Sequence, residues 1–285
     1  MTALAATFAT TVDKLTKFMT VTGMAALAVL LTTPQGAHAG NFGYGNLVVE
    51  RMGDGSTALS SVSTQISILE VTTAGSLAQT ITLATSGSDQ QSDSGSASSN
   101  GYLNTYVSGT AAYLSVPGYN LPINTIGVAS QNAKVNSIFD ASGTIINRTL
   151  FPVGGASGTT AGTPAGVSPY SGNNYRSSIS TSGSTFYAAG TSSGSPVTGG
   201  IWYNDGTSFI QVTSTATGQP TNLRNLEIYG SGSNQRLFFT SSATTGTGVF
   251  TIGTGLPTSA AQTASLVINT GTLGTSASPY GFVMF

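Results

Sequence analysis

Asn173-Asn174-Tyr175-Arg176-Ser177-Ser178-Ile179-Ser180, then Thr181-Ser182-Gly183, then Ser184-Thr185-Phe186-Tyr187-Ala188-Ala189 is the stretch on which the fold turns. It is an alternating run, a tight turn and a second alternating run. Period-two alternation on either side of residues that tolerate positive φ is the signature of a β-hairpin. The same form recurs outward along the chain. Gln65 to Leu83 turns at Thr72-Thr73-Ala74-Gly75, and Tyr102 to Tyr119 turns at Ser108-Gly109. Lys134 to Leu150 turns at Asp140-Ala141-Ser142-Gly143, Ile201 to Thr213 at Asn204-Asp205-Gly206, and Leu223 to Thr240 near Gly230-Ser231-Gly232. The runs are short, as strands in globular proteins are.

The hairpins group in pairs. Tyr102-Leu103, Tyr175-Arg176 and Leu223-Arg224 each precede a turn glycine, and an apolar pair follows it: Tyr113-Leu114, Phe186-Tyr187, Leu237-Phe238. Leu103 and Arg176 are 73 residues apart, and Arg176 and Arg224 are 48 apart. The longer spacing contains the Gly/Ser/Pro-rich run Pro152 to Gly172, which reads as an inserted loop. Two hairpins every ~45–50 residues is the rhythm of a four-stranded propeller blade, in which neighbours bury each other's faces. The expected class is therefore all-β: a β-propeller of four-stranded blades in an incomplete ring. A β-sandwich is the alternative, because it too needs many short alternating strands.

Composition agrees with strands. Charged residues are 6% of the 285, while hydrophobic residues are 39% and glycine numbers 37. Ser, Thr and Gly are poor helix formers, and exposed helix faces normally carry Lys and Glu. The apolar content separates the chain from disordered sequences, which combine low hydrophobicity with high net charge. A net charge of −1 offers nothing to neutralise a phosphate backbone, so no nucleic-acid partner is expected. No cysteine is present, so stability rests on strand pairing and apolar burial.

Residues 1–39 carry Lys14 and Lys17, the apolar stretch Phe18 to Leu31, and Ala37-His38-Ala39. A basic region, an apolar core and an A-x-A site in that order predict a secretory signal peptide cleaved after Ala39. The apolar stretch is shorter than the ~20 residues of a membrane span, so no transmembrane anchor is expected. The exported domain is then 40–285, in a secreted or cell-surface location. His38 is the only histidine, so the exported part would lack both His and Cys. Ser-His-Asp triads, cysteine nucleophiles and ordinary zinc, copper or haem sites need those residues. No catalytic residue, metal or cofactor is expected.

The carboxylates left are Glu50, Asp54, Glu70, Asp89, Asp93, Asp140, Asp205 and Glu227. Asp54, Asp140 and Asp205 stand in G-D-G-S, F-D-A-S-G and N-D-G-T contexts, where Asp caps its own turn. Asp89 and Asp93 lie in the polar run S-G-S-D-Q-Q-S-D-S-G-S, which reads as an exposed, solvated loop. Their D-x-x-x-D spacing does not follow a known calcium loop. The glycines around residues 43–55 open no helix, so a nucleotide cradle is not indicated. Tyr170, Asn173, Asn174, Tyr175, Trp202, Tyr203 and Asn204 form the densest group of Tyr, Trp and Asn. These types suit adaptable contacts with a glycan or a protein, and they are the candidate binding residues. The opposing reading makes Trp202 and Tyr203 core residues and the asparagines turn formers.

The segment Phe42-Gly43-Tyr44-Gly45-Asn46-Leu47-Val48-Val49-Glu50-Arg51-Met52-Gly53-Asp54-Gly55-Ser56, followed by Ala58-Leu59-Ser60-Ser61, carries a resemblance. It is similar to the opening G-N-L-V-V-x-R-x-G-D-G of a family of bacterial exported proteins that often end in a PEP-CTERM sorting signal. The likeness continues through Thr72 to Ile81, Ser171 to Ser180 and Gly253 to Thr258. It implies a propeller-like fold and no assigned activity. It also implies further blades after the strand-like Tyr280-Gly281-Phe282-Val283-Met284-Phe285, so a truncated reading frame is expected. The expected function is a non-catalytic binding or structural scaffold in the extracellular matrix or envelope. The alternative is an extracellular carbohydrate-active enzyme, a lyase or hydrolase, for which Asp205 with Tyr203 and Glu227 with Arg224 are the local pairings to consider.

Overall fold

The computed structural model describes residues 40–153, 168–191, 197–243, 246–272 and 278–284. The chain divides between His38 and Ala39 into two units, and every described residue lies in the second. The predicted signal peptide, most of the predicted loop from Pro152 to Gly172, and Phe285 lie outside the described residues.

The domain is all-β. Its strands are β1 (Leu47–Met52), β2 (Ser63–Val71), β3 (Leu77–Thr82), β4 (Ser92–Ser94), β5 (Asn104–Ser108), β6 (Ala111–Tyr119), β7 (Lys134–Asp140) and β8 (Ile145–Leu150). They continue as β9 (Tyr175–Ser180), β10 (Phe186–Gly190), β11 (Gly200–Asn204) and β12 (Phe209–Gln211). The last four are β13 (Leu223–Tyr229), β14 (Arg236–Ala243), β15 (Gly246–Ile252) and β16 (Ala264–Asn269). They form three antiparallel sheets: an eight-stranded sheet from β1 to β8, and two four-stranded meanders, β9–β12 and β13–β16. Among the described residues the sheets close into neither a barrel nor a ring, and no helix is long and apolar enough to cross a membrane.

All six hairpins expected from the sequence form, pairing β2 with β3, β5 with β6, β7 with β8, β9 with β10, β11 with β12 and β13 with β14. The turns behave as their residues require. Gly183 (φ 77) and Gly206 (φ 96) take left-handed conformations that only glycine adopts without strain. Asp54 Oδ1 accepts the amides of Ser56 and Thr57, Asp140 Oδ1 those of Ser142 and Thr144, and Asp205 Oδ1 those of Thr207 and Ser208. These donors hold all three carboxyls below the ordinary aspartate value.

Three apolar cores follow one another in chain order, the first within the eight-stranded sheet and the other two between sheets. Ile66, Ile68 and Ile81 pack on Leu114, Val116 and Phe139. Tyr119, Ile138 and Phe151 pack on Tyr175, Phe186, Trp202 and Phe209. Ile179, Tyr187, Ala189 and Ile201 pack on Leu226, Leu237, Phe239 and Phe250. The alternation of single strands distributes these residues, since successive side chains point to opposite faces. Ile138 and Phe139 enter different cores, as do Phe186 and Tyr187. Sheet β9–β12 is thus covered on both faces, and every residue of β10 is buried. Gly190 is small for a related reason: a Cβ there would come within 2.4 Å of Asn174 O and 2.8 Å of the Tyr170 ring.

Candidate functional site

The predicted binding residues do not make one surface. Tyr170, Tyr175 and Trp202 are fully buried. The Tyr170 and Tyr175 rings stack at 5.6 Å, and Trp202 Nε1 donates to Thr198 O at 2.9 Å inside the same core. Their burial follows from the double covering of sheet β9–β12, which leaves neither face for a ligand. Tyr203 is half-buried against Tyr187, with ring centroids 4.9 Å apart. Asn204 Oδ1 accepts the Gly206 amide and its Nδ2 donates to Ser208 O, forming the β11–β12 turn. Asn173 Oδ1 accepts the Asn174 amide, ahead of Tyr175. Tyr175 pairs with Gly190 and Asn204 with Phe186, so the asparagines stand at opposite ends of the sheet.

The positions aligned in the sequence do converge. Asn104 on β5, Ser177 on β9 and Asn225 on β13 each follow one of the aligned pairs Tyr102-Leu103, Tyr175-Arg176 and Leu223-Arg224. Asn104 Nδ2 donates to Ser177 Oγ and to Ser178 O, both at 2.8 Å, across 73 and 74 residues. Ser177 Oγ donates to Asn225 Oδ1 at 3.2 Å across 48 residues and accepts the Leu226 amide at 3.1 Å. The single hydroxyl proton and both lone pairs of Ser177 are used, as a buried hydroxyl requires. Strand β5 of the eight-stranded sheet and the first strands of the two four-stranded meanders are therefore joined by one buried polar ladder.

Two charge pairs lie off this ladder. The arginines belong to the aligned pairs themselves. Arg176, only 6% exposed, donates from Nη1 to Leu223 O at 3.0 Å and to Asn222 Oδ1. Arg224 Nε donates to Ser242 Oγ at 3.1 Å, and the guanidinium carbon lies 3.7 Å from the centroid of the Tyr280 ring. Burial, and then the neighbouring Arg224 charge, push Arg176 down to about 10, so it stays charged at neutral pH. Burial raises the Tyr102 hydroxyl to about 12 against the pull of Arg224.

The acidic pair corrects one expectation. Asp93 is not in a solvated loop: it is fully buried on β4, whose three residues pair with Ser63 to Gln65 of β2. Three residues of S-D-S carry no apolar period, so only this long-range pairing defines the strand. Asp93 Oδ1 accepts Asn100 Nδ2 at 3.0 Å and the Ser94 amide at 2.6 Å, while Oδ2 has no partner. Burial pushes its pKa up to about 7, against the pull of those two donors. Glu50 on β1 is half-buried as a residue, yet both its carboxylate oxygens are out of solvent and without a partner. Burial, and then Asp93, raise it well above the ordinary value. Glu70, on the adjacent β2, shows the contrast. Its oxygens accept Gly43 N, Asn46 Nδ2 and Gln79 Nε2 at 2.5–2.6 Å, and although burial pushes it up, these donors hold it below the ordinary value.

The carbohydrate-enzyme pairings are not formed as chemistry. Asp205 serves its turn, and Glu227 Oε1 accepts Asn225 Nδ2 at 3.2 Å while Arg224 is taken by Ser242 and Tyr280. A cleft of about 300 Å³ opens beside Gly53, Leu59, Gln65 and Ile123, but its carboxylate, Asp54, is committed to Ser56 and Thr57. Sequence reasoning aligned Arg176 with Arg224 without pairing them. The available signal was their shared repeat position, because equivalent positions on adjoining first strands lie side by side. No family model, no curated protein and no solved structure matches this chain.

Proposed function

We propose that the protein is an exported, non-catalytic scaffold of the extracellular matrix or envelope, its meanders serving as blades of a β-propeller. The polar ladder Asn104–Ser177–Asn225 carries this reading. It joins the first strands of β5–β8, β9–β12 and β13–β16, as the inner strands of neighbouring blades are joined around a propeller axis. Two successive cores between sheets, one on each face of β9–β12, favour such a series over a sandwich, which needs one. The turn carboxylates are committed to structure: Asp54, Asp140 and Asp205 close turns, while Asp93 is fully buried on β4.

The pair Glu50–Asp93 is also what a carbohydrate-active enzyme would draw on, since such enzymes set two carboxyls against each other. The full burial of Asp93, with two donors already on its Oδ1, weighs against that second reading. Two measurements test the proposal. The product purified from its source should begin at Gly40 by mass spectrometry; a product retaining Met1 would remove the export step. Residues 40–285 incubated with neutral and acidic polysaccharides should release neither new reducing ends nor unsaturated sugars, and release of either would end the non-catalytic reading.

A further inference from the structure

We infer that Arg176 and Arg224 form a binding site for one oxyanion, the carboxylate or sulfate of an acidic glycan, at the start of the inner strands. This rests on the scaffold reading and names its ligand class.

The two guanidinium groups hang on one short chain of hydrogen bonds. Arg176 Nη1 donates to Asn222 Oδ1, Asn222 Nδ2 donates to Ser242 Oγ at 3.1 Å, and Arg224 Nε donates to the same oxygen at 3.1 Å. All the acceptors engaged are neutral. Arg176 Nε and Arg224 Nη1 are out of solvent and meet no acceptor. Two like charges thus share a site that supplies spare donors and no counter-charge. An arginine cannot relieve this by losing its proton near neutrality. Leaving a buried charged donor unmade is costly, and an oxyanion meets both needs, because the guanidinium fork matches carboxylate and sulfate geometry in bidentate fashion.

The surroundings select the kind of anion. Tyr280, 41% exposed, lies over Arg224 and marks the open side. Tyr102 stays a protonated hydroxyl donor at neutral pH. A partly exposed aromatic ring beside a fixed cation suits the C–H face of a sugar ring bearing one acidic group. With a net charge of −1 the chain lacks the basic surface that a nucleic-acid polyanion requires.

Calorimetric titration of residues 40–285 in chloride buffer tests the site with three probes: an oligogalacturonate, its methyl ester and inorganic sulfate. The acid should bind and the ester should not. Sulfate should compete with the acid for one site. Arg224→Gln should weaken the acid by about tenfold or more, and Arg224→Lys should not restore it, because an ammonium lacks the fork. Tyr280→Leu changes an exposed side chain and should also weaken binding, which keeps the test open if an arginine variant fails to fold. Equal binding of acid and ester, acid binding unchanged in both Arg224→Gln and Tyr280→Leu, or sulfate binding with none of the acid would each overturn the inference. Cleavage of the bound oligosaccharide would break the non-catalytic reading alone; absence of binding without cleavage would break the anion site alone.

Discussion

The acidic pair and the arginine pair are mirror problems within one domain. Around Glu50 and Asp93 the unpartnered atoms are acceptors: Glu50 Oε1 and Oε2, Asp93 Oδ2 and Asn100 Oδ1. Around Arg176 and Arg224 they are donors, Arg176 Nε and Arg224 Nη1. Burial raises the cost of charge in both places, but the remedies differ. Carboxyls can take protons from water, and Asp93 with its value near 7 does so close to neutrality. Arg176, at about 10, keeps its charge throughout the physiological range. The acid pair can therefore settle its own charge, whereas buried Arg176 beside half-buried Arg224 calls for a partner from outside.

The comparison assumes that neither pair holds the layers together. That task falls to the interlayer cores, with Trp202 the largest fully buried side chain. Trp202→Ala should cost about 3–5 kcal/mol in urea unfolding, the typical loss for a large aromatic in a core. A loss below that of the charge-pair variants would break the assumption.

The acid pair should next declare itself through pH. Between the ordinary aspartate value of 3.8 and about 7, folded Asp93 holds a proton that the unfolded chain has released. Raising the pH through that window should lower stability by up to about 1.4 kcal/mol per unit. Glu50, raised in the same direction, adds to this fall. Lys134 acts on the other side. It is buried with Nζ donating to Gln131 O at 2.7 Å, and burial lowers it from 10.5 to about 7. The folded chain then loses a proton there that the unfolded chain keeps, so stability should rise from about pH 7 towards 10.5. Asp54, Glu70, Asp140 and Asp205 are held low and act below this window. Denaturation midpoints across pH 5 to 9, a working range set around these values, should pass through a minimum near neutrality. Asp93→Asn should flatten the acid limb and Lys134→Met the basic one. A maximum near pH 7 in the parent protein would contradict both assignments.

How much of this was legible follows from what each feature depends on. Hairpins and aspartate turns depend on neighbours in sequence, so Gly183, Gly206 and Asp205 announced them. The repeat spacings of 73 and 48 residues pointed to the contacts that Ser177 makes with Asn104 and Asn225. Asp93 was hidden because β4 is defined by Thr64 and its neighbours, nearly thirty residues earlier. Tyr170, Tyr175 and Trp202 looked like ligand contacts because aromatic composition does not reveal that a sheet is covered twice. The β15–β16 pair was missed for a similar reason: the connection between Ile252 and Ala264 is too long to read as a tight turn.

The smallest effect is the most direct test, a double-mutant cycle on Asn104→Ala and Ser177→Ala measured by urea unfolding. The two residues are 73 positions apart and meet through the hydrogen bond from Asn104 Nδ2 to Ser177 Oγ. The expected outcome is an interaction energy of about 0.5 kcal/mol or more. Losses that simply add would contradict the side-by-side placement of the first strands, and with it the blade-like series.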